Sequence, residues 1–230
     1  MPWITEPCPD PVSLGLDIQT LPPLPAPAPD SRVLDDVPVM ETGESLEDAE
    51  NEFVVFRPYR RLGFEHCPER LLLRQGVLAR LAAARDALPP DVGLVLMDGW
   101  RPQEFQNELF EYYKRESPTS IAGYVADPSS TTLIPGHVTG GAVDLTLSYR
   151  GKPLAMGSDY DDFTPRAHIL SLEDEFPASS ASVFRRFMGR VLADAGFAPY
   201  PLEWWHWSYG DQRWAAQIQA PNAIYGEAVC

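Results

Sequence analysis

PGHVTGGAVDLTLS, residues 135–148, decides the fold. Its second half, AVDLTLS (142–148), alternates as a strand does, with Ala142, Asp144 and Thr146 on one side and Val143, Leu145 and Leu147 on the other. Gly140 and Gly141 let the chain turn sharply just before it. His137 precedes Asp144 by seven residues, across that turn. A carboxylate on an otherwise apolar strand needs a partner, and either a metal ion or an arginine would serve.

Further strands are expected at FVVF (53–56), GLVLMD (93–98) and PLEWWHW (201–207). Apolar residues at helical spacing predict a helix over about 69–88, stopped by Pro89-Pro90, and another over 180–195, with Ser179 or Ser180 as N-cap and Gly196 past its end. Pro102 suits the first turn of a helix over 102–116. Residues 117–136, rich in Ser, Thr and Pro, read as a long loop, and a short helix includes Trp214 to Ile218. This irregular mixture predicts an α+β domain with helices packed against a mostly antiparallel central sheet.

The chain has 230 residues and a formal charge of −15, and the charge is unevenly placed. Residues 1–56 carry twelve carboxylates against Arg32 alone, while the remainder is nearly balanced. Ten of the 24 prolines precede residue 40, five of them in LPPLPAPAP (21–29). We therefore expect a Pro-rich acidic leader over 1–52 and a folded domain over 53–230. The leader either wanders free or lies as a strap, polyproline-like along 21–29. An acidic surface repels phosphate backbones and anionic lipids, so nucleic acid and membrane are poor candidate partners. MPWITEPCPD has neither the basic nor the apolar region of a secretory signal, and the expected location is cytoplasmic. Cys8, Cys67 and Cys230 read as free thiols, since an odd count without C-x-x-C spacing argues against a disulfide scaffold.

EWWHW (203–207) sets Glu203 and His206 among three tryptophans, Trp205 included, that would limit water and raise a nearby carboxyl pKa. The same stretch also reads as an aromatic core strand with polar edges. On a regular strand Glu203 and His206 face opposite sides, so joint service in one site requires a bulge or turn there. His137, Asp144 and His206 would make a three-ligand zinc set whose open position holds a water. Glu203 would be the general base for that water. Arg101, in DGWRP (98–102) after a strand end, would stabilise an oxyanion or make a structural ion pair. His66 and His168 have no ligand-like neighbours in sequence.

DGWRP, then H-x-x-G-x-A-x-D (137–144), then E-x-x-H (203–206), in that order, resembles the VanX-type D-alanyl-D-alanine dipeptidases. These belong to a zinc peptidase superfamily with D-Ala-D-Ala carboxypeptidases and the hedgehog signalling domain. The likeness extends through GYVAD (123–127), MGSDYDDF (156–163) and AGFAPYPLEWWHW (195–207), and covers roughly residues 70–210. It implies an α+β fold and one zinc ion per chain on His137, Asp144 and His206. It further implies Glu203 as base, Arg101 as oxyanion stabiliser, and cytoplasmic hydrolysis of a small D,D-dipeptide. Asp161, Trp205 and Tyr124 are expected to support the site or touch substrate. Three departures bear on substrate choice. Pro135 stands where the family has a serine that helps hold substrate, FRPYRRLGFEHC (56–67) replaces a Tyr- and Asn-containing motif, and the leader is unlike the family's short start. A zinc amidohydrolase acting on another small substrate, in a natural-product or self-resistance pathway, and a non-catalytic binding module are the alternative readings.

Overall fold

The computed structural model describes residues 2–24, 34, 36–116, 123–126, 130 and 132–230. In chain order its elements are β1 (Glu6–Pro7), β2 (Leu46–Asp48), β3 (Val54–Val55), β4 (Leu72–Arg74), α1 (Gln75–Asp86), β5 (Val92–Asp98), α2 (Gln103–Glu116), β6 (Ala142–Tyr149), β7 (Lys152–Ala155), α3 (Ser171–Glu175), α4 (Ser180–Asp194), β8 (Ala198–Tyr200), β9 (Glu203–Ser208) and α5 (Gln212–Ile218). A 3₁₀ turn over Gly136–Thr139 carries His137.

Strand β6 is the hub of a seven-stranded sheet. It pairs antiparallel with β5 along one side, and with β9 and then β7 along the other. Its first seven residues are all buried, so both faces are covered. On the Val143 face lies α4, where a Cβ added to Gly189 would stand 3.5 Å from the Trp207 ring, and Trp207 is paired with Val143. The Asp144 face fronts a cavity bordered by α2.

The sheet is mostly antiparallel, as expected, but not purely so: β1 pairs parallel with β7, and β3 parallel with β5. Both added strands come from the first 55 residues, and parallel neighbours need a long connection, which the intervening elements provide. The helix expected from 69 begins at Gln75 instead, because Leu72–Arg74 pairs as β4 with β2. Backbone bonding to Leu46–Asp48 outweighs helical periodicity there.

Residues from the acidic N-terminal stretch pack against the rest of the chain. The amides of Trp3 and Ile4 donate to the Asp159 carboxylate at 2.7 and 2.8 Å. Leu21 and Leu24 are buried. The Arg74 guanidinium, also buried, meets Glu41 at 2.9 Å and donates from Nε to the Thr139 carbonyl at 2.9 Å. Glu44 accepts from the Gly76 amide and the Tyr225 hydroxyl, each at 2.7 Å. The stretch expected to be polyproline-like lies, over 25–29, outside the described residues, as do 117–122, 127–129 and 131 of the expected loop. The three cysteines are free. No helix among the described residues is long and apolar enough to cross a membrane.

Candidate metal centre and active site

Two irregularities in the sheet assemble the site. In β5 the register shifts between Leu96, which pairs with Leu145, and Asp98, which pairs with Asp144. The extra residue, Met97, reverses the alternation and brings Asp98 to the Asp144 face. In β9 the register against β8 shifts as well: Trp207 pairs with Pro199, while Glu203 pairs with the next residue, Tyr200. This is the departure from regular strand geometry expected at EWWHW. It leaves Trp204 and Trp207 on the α4 side. Trp204 packs there under the Arg185 guanidinium, while Glu203, Trp205 and His206 border the cavity on the Asp144 side. Glu203 Oε2 then lies 3.8 Å from His206 Nδ1.

His137 is fixed from both ends. The 3₁₀ turn closes on Gly140 in the left-handed region (φ +70), which an L side chain rarely adopts. Gly99 comes so near β4 that an added Cβ would lie 2.6 Å from the Leu72 carbonyl. Its own carbonyl sits 2.8 Å from His137 Nδ1. A carbonyl only accepts, so Nδ1 carries the proton and Nε2 turns a lone pair into the site. The Arg101 amide donates to the His137 carbonyl at 3.1 Å and joins the two turns.

Asp144 Oδ1 stands 3.3 Å from His137 Nε2 and 3.1 Å from His206 Nδ1, and the two nitrogens are 3.1 Å apart. All three residues border the same buried centre. Oδ1 receives no hydrogen bond among the described residues, whereas Oδ2 accepts from the Tyr160 hydroxyl at 2.9 Å. Burial raises the Asp144 carboxyl, but the facing imidazoles outweigh it and hold it well below the usual carboxylate range. Burial also lowers the His206 pKa and favours the neutral ring. The Asp144 carboxylate and the neutral His206 ring are the deprotonated forms that metal binding requires. Tetrahedral zinc, with bonds of about 2.0–2.2 Å, sets its ligand atoms roughly 3.3–3.5 Å apart. An orphaned buried oxygen facing two imidazole nitrogens at nearly this spacing fits such an ion.

Glu203 is buried at the edge of this triangle. Burial first, then the charges of Asp144 and Asp161, push its carboxyl well above the usual range, against Arg101 and Arg213. Arg101 is held by Asp98 (Nε to Oδ2, 2.6 Å) and by Gln106 (Nη1 to Oε1, 3.1 Å), and its Nη2 faces Asp144 Oδ2 at 3.7 Å. The structural ion pair and a place on the cavity wall thus coexist at Arg101. The cavity measures about 450 Å³, ample for a dipeptide.

Asp161 also borders it. Its carboxylate accepts from Tyr113 at 2.7 Å and Tyr59 at 3.2 Å, and its backbone is left-handed (φ 57). Burial, together with the Asp144 charge, raises its pKa to about 7, although Tyr113 and Arg101 oppose this. Trp205 forms part of the wall, edge-on to Tyr160. Tyr124 lines the opening and shares a 2.8 Å hydrogen bond with His168 Nε2. His66 is exposed against Glu108. Sequence reading gave no role to Tyr160, Asp98, Gln106, Tyr59 and Tyr113, which hold the site residues, or to Arg213 on the wall. Tyr160 inside MGSDYDDF, Asp98 inside DGWRP and Tyr59 inside FRPYRRLGFEHC stood in stretches already singled out; Gln106, Tyr113 and Arg213 had no such signal.

Two imidazoles and a carboxylate converging on one buried point, with a second carboxylate beside them in a substrate-sized cavity, are the arrangement of a metallopeptidase. Residues 65–223 match the peptidase M15 family, described as D-ala-D-ala dipeptidase, and the chain belongs to that family. It is 29% identical to a D-alanyl-D-alanine dipeptidase of Synechocystis sp. (strain ATCC 27184 / PCC 6803 / Kazusa), over 79% of this chain and 88% of that protein. It is 31% identical to a D-alanyl-D-alanine dipeptidase of Enterococcus faecium, over 57% of this chain and 69% of that protein. Among solved structures, the LD-carboxypeptidase LdcB superposes with a TM-score of 0.45 at 17% identity, covering 80% of this chain and 75% of that one.

Proposed function

We propose that this chain is a zinc-dependent dipeptidase that hydrolyses a small D,D-dipeptide such as D-Ala-D-Ala. The observation that carries the proposal is Asp144 Oδ1, buried without a donor among the described residues and facing His137 Nε2 and His206 Nδ1, with Glu203 alongside. His137, Asp144 and His206 would hold one zinc ion. When bound, zinc supplies a Lewis acid that polarises the scissile carbonyl and makes water a nucleophile near neutral pH. The family and the names of the matched relatives support the substrate class.

The chain's own residues account for the rest. Glu203, kept basic by burial, takes the proton of the attacking water and passes it to the leaving amine. Arg101 remains charged and is fixed by Asp98 and Gln106, so it meets negative charge developing on the carbonyl oxygen without reorganising. Tyr160 occupies Asp144 Oδ2 and keeps Oδ1 turned to the centre. Trp205 and the aromatic wall exclude water.

Pro135 on the cavity wall offers neither an N–H nor a polar side chain, which favours a second reading, a zinc amidohydrolase with another small substrate. Alanine release from D-Ala-D-Ala by the zinc-loaded protein decides between them. Turnover supports the dipeptidase, and bound zinc without turnover supports the second reading.

A further inference from the structure

Among the described residues, four carboxylates border the cavity, those of Asp144, Asp161, Glu203 and Asp211, against two guanidinium groups, Arg101 and Arg213. A dipeptide brings a carboxylate of its own into this acidic surrounding, and that charge needs a nearby cation. The Arg101 fork is already engaged by Asp98 and Gln106. Arg213 makes no hydrogen bond or ion pair among the described residues, and its guanidinium lies over the face of Tyr200, 4.1 Å from guanidinium carbon to ring centre.

That contact fixes where the cation stands. The Tyr200 ring is edge-on to His206, with centroids 5.3 Å apart, and the Tyr200 hydroxyl is tied to the Gly123 carbonyl. The guanidinium is therefore stacked on the ring that backs one of the proposed metal ligands. In a dipeptide only three bonds, about 4.3 Å of path, separate the scissile carbonyl carbon from the terminal carboxylate carbon. A carbonyl held at the metal centre necessarily carries its carboxylate close by. On the His137 side of the cavity, Pro135 supplies no donor to receive it. The planar guanidinium, whose N–H groups meet no acceptor among the described residues, matches a carboxylate in two parallel hydrogen bonds.

We infer that Arg213 is the specificity-determining residue that receives the free carboxylate of the leaving amino acid. The inference rests on the hydrolase reading above for the position of the scissile bond. It makes the site selective for substrates that end one residue beyond that bond, and against C-terminal amides and longer chains.

The experiment compares D-Ala-D-Ala with D-alanyl-D-alaninamide, which lacks the carboxylate, on the zinc-loaded chain and on Arg213→Gln and Arg213→Lys. Zinc content and melting temperature are recorded for each. Loss of a charge-assisted hydrogen-bond pair corresponds to roughly 10- to 100-fold in affinity. The parent should favour the free acid by that factor in KM. Arg213→Gln should lose the preference through KM while kcat changes little, and Arg213→Lys should restore part of it. Calorimetric binding of the same two compounds to Glu203→Gln, with and without Arg213→Gln, reads the preference without turnover. An unchanged acid-over-amide ratio in Arg213→Gln, or no such ratio in the parent, overturns the inference. An Arg213-dependent preference in binding with no hydrolysis by the parent overturns the hydrolase reading alone.

Discussion

The Tyr160 hydroxyl donates a 2.9 Å hydrogen bond to Oδ2 of Asp144, and so the other oxygen, Oδ1, is the one that faces the two imidazoles. A single phenol fixes which carboxylate oxygen is offered to a cation. Tyr160→Phe should leave the fold intact and weaken zinc binding by about 10- to 100-fold, as loss of an outer partner of a ligand does. Competition against a chelator of known affinity measures this, and an unchanged affinity would remove Tyr160 from the account.

Glu203→Gln should retain zinc and lower kcat by roughly 10²–10⁴-fold. The pH profile carries the sign. The base works ionised and burial raises its pKa, so kcat/KM of the wild type should climb with pH on a limb lying above 4.5. That limb should vanish from the residual rate of the variant.

The same shift has a consequence for stability. A carboxyl whose pKa is higher folded than unfolded favours folding while protonated in both states, and loses that contribution as pH rises through the folded value. Metal-free Glu203→Gln should therefore melt above the metal-free wild type at neutral pH. The difference should close below about pH 4, where both carry an uncharged group. Scanning calorimetry across pH checks it.

Arg101→Ala should keep zinc and cost about 10²–10³ in kcat if the guanidinium meets the oxyanion. It also leaves Asp98, whose side chain is only 13% exposed, without its buried partner, so a loss of about 3–5 kcal/mol in stability should accompany it. Loss of stability without loss of rate at a temperature where the variant is folded would reduce Arg101 to the ion pair alone.

Glu41→Ala tests the leader. Its carboxylate accepts from buried Arg74, which in turn braces the Thr139 carbonyl in the His137 turn. Removing it should cost roughly 1–3 kcal/mol, the scale of hydrogen bonds to a charged group. Denaturant unfolding at neutral pH gives the value.

Much of the framework was legible because it is local. Alternation marks β6, Ser179 caps α4, and Gly196 (φ +93) ends it, all within a few residues of the signal. The conflict between Glu203 and His206 on one strand was enough to require a bulge in β9. What escaped depends on distant partners. The Met97 bulge that brings Asp98 beside Asp144 leaves no mark in GLVLMD. Leu72–Arg74 is a strand only because the leader supplies β2, 26 positions earlier at Leu46. Arg213 reaches the cavity through the packing of α5 on Tyr200, which no spacing in the sequence encodes.

Zinc per chain, measured by plasma emission on wild type and Asp144→Ala after identical loading and exhaustive dialysis, bears most directly on the metal centre. One equivalent in the wild type and less than about a tenth of that in the variant is expected, because a ligand carboxylate cannot be replaced by a methyl group. A full equivalent retained by Asp144→Ala, or none held by the wild type, would contradict it.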